Sequence, residues 1–180
     1  MNEKIIYLLL IVLVLFILIR KVIPTLQNKD DLTATMSSEE YNDILDKIID
    51  LSISRFENGV ESFNDEQLAV VSAIDYYNEM MNGGLGQFFI NSSRIYTSVL
   101  SNSLGEVGAL KHKDYFDNYI TENAINVDEI SSLDEEEYLS KYGELTFNEF
   151  DRSFYDLNNT EELCGFIIKY AKNNYDKIFK

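Results

Sequence analysis

Asp75, Glu79, Asn82, Gln87 and Asn91 fall within seventeen residues, around Gly83, Gly84 and Gly86. Two carboxylates and three amides at that density can do one of two things. They can line a polar site that grips a ligand or a partner's backbone, or they can satisfy the peptide groups that a tight turn leaves bare. Three of the chain's eight glycines occupy four positions here, between two apolar stretches. Glycine beside a helical pattern marks a left-handed residue or an unusually close approach. Asp75, Glu79, Asn82, Gly83, Gly84, Gln87 and Asn91 therefore form the candidate polar site. In the alternative reading Asn82 and Gly83 end one helix, Asn91 caps the next, and Glu79 or Gln87 ties the exposed amides of the loop.

The second chemistry is charge. The 180 residues carry 31 Asp and Glu against 15 Lys and Arg, a formal charge of −16. Without residues 1–24 the count is 30 acids against 12 bases, or −18. Between residues 128 and 162 twelve acids face only Lys141 and Arg152. The candidate acidic surface comprises Asp128, Glu129, Asp134, Glu135, Glu136, Glu137, Glu149, Asp151 and Asp156. On a helix, carboxylates three or four residues apart stand about 5–6 Å apart at Cβ. That approximates phosphates, which rise about 3.4 Å per step along a strand and attract the same Lys and Arg side chains. The plainer alternative is a solvated face that aids solubility. Either way such a surface repels nucleic acid and anionic lipid and attracts basic proteins, so direct nucleic-acid binding is not expected.

Support for catalysis is thin. His112 is the only histidine and sits between Lys111 and Lys113 at a helix start, which reads as an exposed side chain rather than a base. Cys164 is alone, forms no internal disulfide, and lies in an apolar repeat as a small core residue. No phosphate loop, nucleophile elbow, zinc spacing or calcium loop is present, and a carboxylate-only magnesium site lacks an ordered acidic motif. No catalytic residue, metal or cofactor is expected. The twenty-three Tyr and Phe fall mostly on apolar stripes and form the core; as stacking platforms for single strands they would need basic surroundings.

These residues must be positioned by a largely helical chain. Residues 5–19 are an unbroken apolar run, preceded by Lys4 and followed by Arg20 and Lys21, with Pro24 ending the segment. Continued through residue 23, the helix reaches the length that crosses a hydrocarbon core of about 30 Å. No small-x-small site follows it, which disfavours a cleavable signal peptide. The expected organisation is a transmembrane anchor at 1–24, a tether at 25–36 and an acidic helical domain at 37–180. The excess of Arg20, Lys21 and Lys29 over Lys4 places the domain in the cytoplasm, on a single-pass protein of the cell membrane.

Ser37 with Glu40 predicts a capped helix to about residue 56, and Asn64 with Gln67 opens a second. In the second, Val70, Ile74, Tyr77 and Met81 form an apolar stripe opposite Ser72, Asp75, Glu79 and Asn82. A short apolar piece follows at 85–90, then a helix carrying Tyr96, Leu100, Leu104 and Val107, another at 111–125, and one begun by the acids near residue 134. Phe147, Phe150, Phe154 and Leu157 mark an inward face. A last helix carries Leu163, Phe166, Ile167 and Tyr170 towards residue 179. The prediction is an all-α domain of six or seven helices.

On two blocks of residues the chain resembles the bacterial DNA-mimic-protein family. One is residues 79–91 with Leu104, Gly108 and Ala109; the other is Phe147, Phe150, Asp151, Phe154 and Tyr155 with Tyr170 and Phe179 beyond. The resemblance covers roughly residues 40–180. It implies an all-α fold and, for the family's namesake activity, carboxylates presented where DNA presents phosphates. The membrane anchor is not part of that family's domain. The expected function is a non-enzymatic, membrane-anchored module engaging a basic nucleic-acid-binding protein. A ligand-binding or hydrolytic domain with its site at the glycine break is one alternative, and an acidic immunity-type inhibitor of a toxin is another.

Overall fold

A computed structural model of the protein describes residues 36–180. The expected anchor, and the tether up to residue 35, lie outside the described residues. Among the described residues there are ten α-helices, two 3-10 turns and no strand. The helices are α1 (Ser38–Asn58), α2 (Asp65–Asn82), α3 (Gly84–Ile90), α4 (Thr97–Glu106) and α5 (Leu110–Glu122), then α6 (Val127–Ser132), α7 (Glu135–Tyr142), α8 (Asn148–Thr160), α9 (Leu163–Asn173) and α10 (Tyr175–Phe179). The 3-10 turns are Val60–Ser62 and Ser92–Tyr96. The all-α prediction holds, but six or seven helices was too few. One addition is α6, which Asn126 starts by accepting from the Glu129 amide at 3.2 Å, ahead of the helix predicted near residue 134, which the reciprocal capping box of Asp134 and Glu137 opens as α7. The apolar piece at 85–90 is itself a helix, and the last predicted helix divides at Asn174.

Helix α2 is the axis of the domain, packed by α1, α3, α4, α9 and α10. Every residue from 69 to 77 is buried, Ser72 and Asp75 included. A helix surrounded on most sides has no single buried stripe, which is why Met80 is buried while the predicted stripe member Met81 is 38% exposed. From α2, the Tyr76 ring makes edge-on contacts with Phe88 of α3 at 5.4 Å, Phe116 of α5 at 6.0 Å and Phe154 of α8 at 5.8 Å. Such pairs each contribute about 0.5–1.5 kcal/mol beyond their buried area, so one tyrosine ties four helices. Phe150 stacks on Tyr115 of α5 at 4.6 Å, and the Tyr115 hydroxyl donates to the Phe150 carbonyl at 3.1 Å. The ends of the domain are tied by amides: Asn64 and Gln67, the capping box of α2, also donate to the carbonyls of Lys177 and Ile178 at 2.9 Å each.

Cys164 is a buried core residue, as expected, and accepts from the Tyr41 hydroxyl at 3.3 Å. Burial pushes its thiol up to about 12. His112 differs from expectation. It is 1% exposed, with Nε2 at 2.7 Å from the Glu161 carbonyl and its ring edge-on to Phe154 at 5.4 Å. Successive residues of a helix stand about 100° apart, so Lys111 and Lys113 can flank the solvent side of α5 while the residue between them points inside. Among the described residues no helix is long and apolar enough to cross a membrane, and no group of His, Cys, Asp and Glu is placed to hold a metal.

Burial lowers the pKa of His112 below its ordinary 6.5, outweighing the opposing pull of Glu161. Its Nδ1 is buried without a partner among the described residues, so the neutral ring donates through Nε2 and a second proton would have no acceptor. The unfolded chain therefore takes up the proton first. Stability should fall as the pH drops from 6.5 towards the folded value, by up to about 1.4 kcal/mol per pH unit inside that window. Urea unfolding at a series of pH values should show this dependence in the native chain and lose it in His112→Gln; identical slopes for the two would rule it out.

Candidate functional site

Helix α2 ends at Asn82, and the chain turns through Gly83 into α3, as the pattern at the glycines predicted. The polar side chains of the turn converge on one another. Glu79 Oε2 accepts from Gln87 Nε2 at 2.7 Å and from Asn91 Nδ2 at 2.9 Å, and Glu79 Oε1 accepts from the Ser93 hydroxyl at 3.0 Å. Three donors thus hold one half-buried carboxylate and bind the end of α2 to the middle of α3 and to the 3-10 turn that follows it. Asn91 occupies the position before the 3-10 turn but makes no side-chain cap there; its amide is committed to Glu79. Asn82 and Gly83 lie exposed at the surface of the corner.

The loop amides are served from elsewhere. Leu85 N–H donates to Asp151 Oδ1 of α8 at 2.9 Å. Gly84 has φ +80°, and a Cβ there would overlap the Asp151 carboxylate, so the position demands both the left-handed backbone and the missing side chain. At Gly86 a Cβ would stand 3.1 Å from the Phe147 ring. The Tyr155 hydroxyl donates to the Met80 carbonyl at 2.9 Å. The glycine block and the 147–155 block are therefore two sides of one joint. Burial raises the pKa of Asp151, with the Leu85 amide opposing it.

One turn before Glu79, the buried Asp75 accepts from Ser52 Oγ at 2.7 Å and pairs with Arg55 of α1. Arg55 also donates to Ser92 at 3.2 Å and lies over the Tyr96 ring at 5.4 Å. Removing either partner would strand the other charge, which typically costs about 3–5 kcal/mol. Reading the sequence for local motifs missed this pair and Ser93. The signal was present: Asp75 stands inside an apolar run, and Arg55 is the only Lys or Arg between Lys47 and Arg94. Chemically the corner is a polar knot in which Gln87, Asn91 and Ser93 donate to Glu79 and Leu85 N–H donates to Asp151.

The acidic face is distributed differently. Asp128, Asp134, Glu135, Glu136, Glu137, Glu149 and Asp156 are exposed. The other two of the nine predicted surface acids are half-buried: Asp151 serves the joint, and Glu129 pairs with Lys141 and accepts from the Tyr142 hydroxyl at 2.8 Å. Those contacts lower the Glu129 pKa, the Lys141 bond first. The cations are largely occupied. Among the described residues eight Lys and Arg side chains are in ion pairs, and Arg94 donates to the carbonyls of Ile90, Asn91 and Leu133.

A family model described as DMP19-like protein matches residues 61–174, from the turn before α2 to the end of α9. No curated protein and no solved structure matches the chain.

Glu79→Gln should lower stability by about 2 kcal/mol, because an amide can accept through only one oxygen where the carboxylate satisfies three donors. Asp151→Ala should cost about as much and Asp151→Asn clearly less, since asparagine can still accept from Leu85. Chemical denaturation of the three variants checks the order, and equal losses for Asp151→Ala and Asp151→Asn would contradict the cap.

Proposed function

The chain belongs to the DMP19-like protein family, and on that premise we propose that its helical domain is a non-enzymatic module that engages a basic, nucleic-acid-binding protein by presenting carboxylates in place of DNA phosphates. The observation that carries this reading is the sorting of charge. Eight of the acids between residues 128 and 156 stand exposed, while among the described residues nine of the eleven Lys and Arg side chains are in an ion pair or on backbone carbonyls. A partner's Lys and Arg would meet carboxylates with little competition from the protein's own bases. The attraction is long-ranged at low salt and falls with a Debye length of about 8 Å at physiological ionic strength.

Residues 5–23 supply the second part of the proposal, a single membrane span that keeps the domain on the cytoplasmic side. Support for it comes from the length of the apolar run and the basic residues that follow it. A tethered mimic would act only on partners that reach the membrane. A ligand-binding or hydrolytic site at the glycine break has less support, because Gln87, Asn91 and Ser93 already donate to Glu79. An acidic immunity-type inhibitor of a toxin would use the same surface and differ only in its target.

The full-length chain, immobilised, should retain basic DNA-binding proteins at about 50 mM salt and release them at about 500 mM, with duplex DNA competing. Retention that ignores both salt and competing DNA would sink the proposal.

A further inference from the structure

A cleft of about 660 Å3 lies away from the glycine corner, between the first turns of α2, the length of α4, Lys113 of α5 and Tyr170 of α9. Leu68, Ala69 and Val99 supply apolar lining, and Asp65, Glu66 and Glu106 supply carboxylates. The nearby cations are engaged: Lys113 pairs with Asp117, and Lys177 pairs with Glu66 at 2.5 Å. Asp65 and Glu106 are exposed and, among the described residues, in no ion pair. Tyr170 is half-buried in the same wall; burial first, and then Glu106, Glu66 and Asp65, raise its pKa above the ordinary 10, with Lys177 opposing.

Apolar lining, an aromatic wall and carboxylates whose charge is not neutralised match the side chain of Arg or Lys part by part. The aliphatic stem covers apolar surface, the head reaches the acids, and the ring face favours a cation. The volume lies within the range of sites that take a whole ligand, so there is room for more than one such side chain. A diffuse acidic face draws a basic partner in, whereas affinity and register come from a few side chains seated in pockets.

We propose that this cleft is an anchoring site for arginine and lysine side chains of the basic partner, distinct from the acidic face between residues 128 and 156. The inference rests on the reading of the domain as an acceptor of basic proteins and adds where the partner is held. In the full-length chain, a fluorescein-labelled nona-arginine peptide serves as the probe, read by anisotropy. Val99→Trp, which fills the cleft without changing charge, and the exposed pair Asp65→Asn/Glu106→Gln should each weaken binding about fivefold or more. Glu135→Gln/Glu136→Gln, an equal charge change on the other face, should weaken it less than about twofold. If Val99→Trp unfolds the domain, the two charge-matched pairs decide alone. Equal weakening by both pairs would overturn the cleft and leave the proposed function standing. Failure of the full chain to retain any basic protein at low salt would overturn the proposed function itself.

Discussion

The amide of Leu85 and the carboxylate of Asp151 meet at 2.9 Å, and the path of the chain after α2 depends on that contact. Helix α3 starts at a left-handed glycine, and the amide of its second residue, Leu85, finds its acceptor on α8. Asp151 supplies it, Gly84 leaves room for the carboxylate, and Gly86 lets the Phe147 ring close over the next turn. Once α3 is fixed there, Phe88 and Phe89 are carried inward. Phe88 meets Tyr76, and Phe89 meets Tyr138 of α7 at 6.2 Å. The aromatic core is thus arranged from a backbone corner with no room for side chains.

Charge follows from burial. The three acids that lie at or near this corner, Asp75, Glu79 and Asp151, each have defined donors, because a carboxylate withdrawn from water needs hydrogen bonds or a counter-charge. The acids of α6, α7 and the outer side of α8 face water, and most need no donor. A strongly negative chain can therefore have a well-satisfied interior and still offer many carboxylates outward. The same division separates fold from function: the corner fixes how α2, α3 and α8 pack, and under the proposed function the exposed acids and the cleft at α2 and α4 are where a basic partner would be recognised.

Much of the helical plan could be read directly from residue patterns. Ser37, Asn64 and Asp134 each begin a helix as their types and spacing require, and Asn82 with Gly83 ends one. Those signals are local: a side chain bonds an amide three residues away, so a sequence window contains both partners. The patterns failed at α6, which no periodic stretch announced, at residue 174, where the last helix divides, and at His112, whose charged neighbours suggested an exposure that its own side chain does not share. Asn91 has the residue type of a cap and the position of a cap, yet a carboxylate twelve residues away competes for its amide and wins.

By itself the sequence determined that the chain is helical, acidic and organised around the glycines at 83, 84 and 86, because composition, capping and glycine's backbone freedom act over a few residues. Only the tertiary structure decided that Asp151 belongs to that glycine turn rather than to the surface, that Arg55 neutralises Asp75, and that Asp65, Glu66 and Glu106 border one cleft. Those pairings join residues 20 to 66 positions apart through packing of whole helices, and the energy that selects them comes from burying charge and aromatic surface together, which no single stretch of chain encodes.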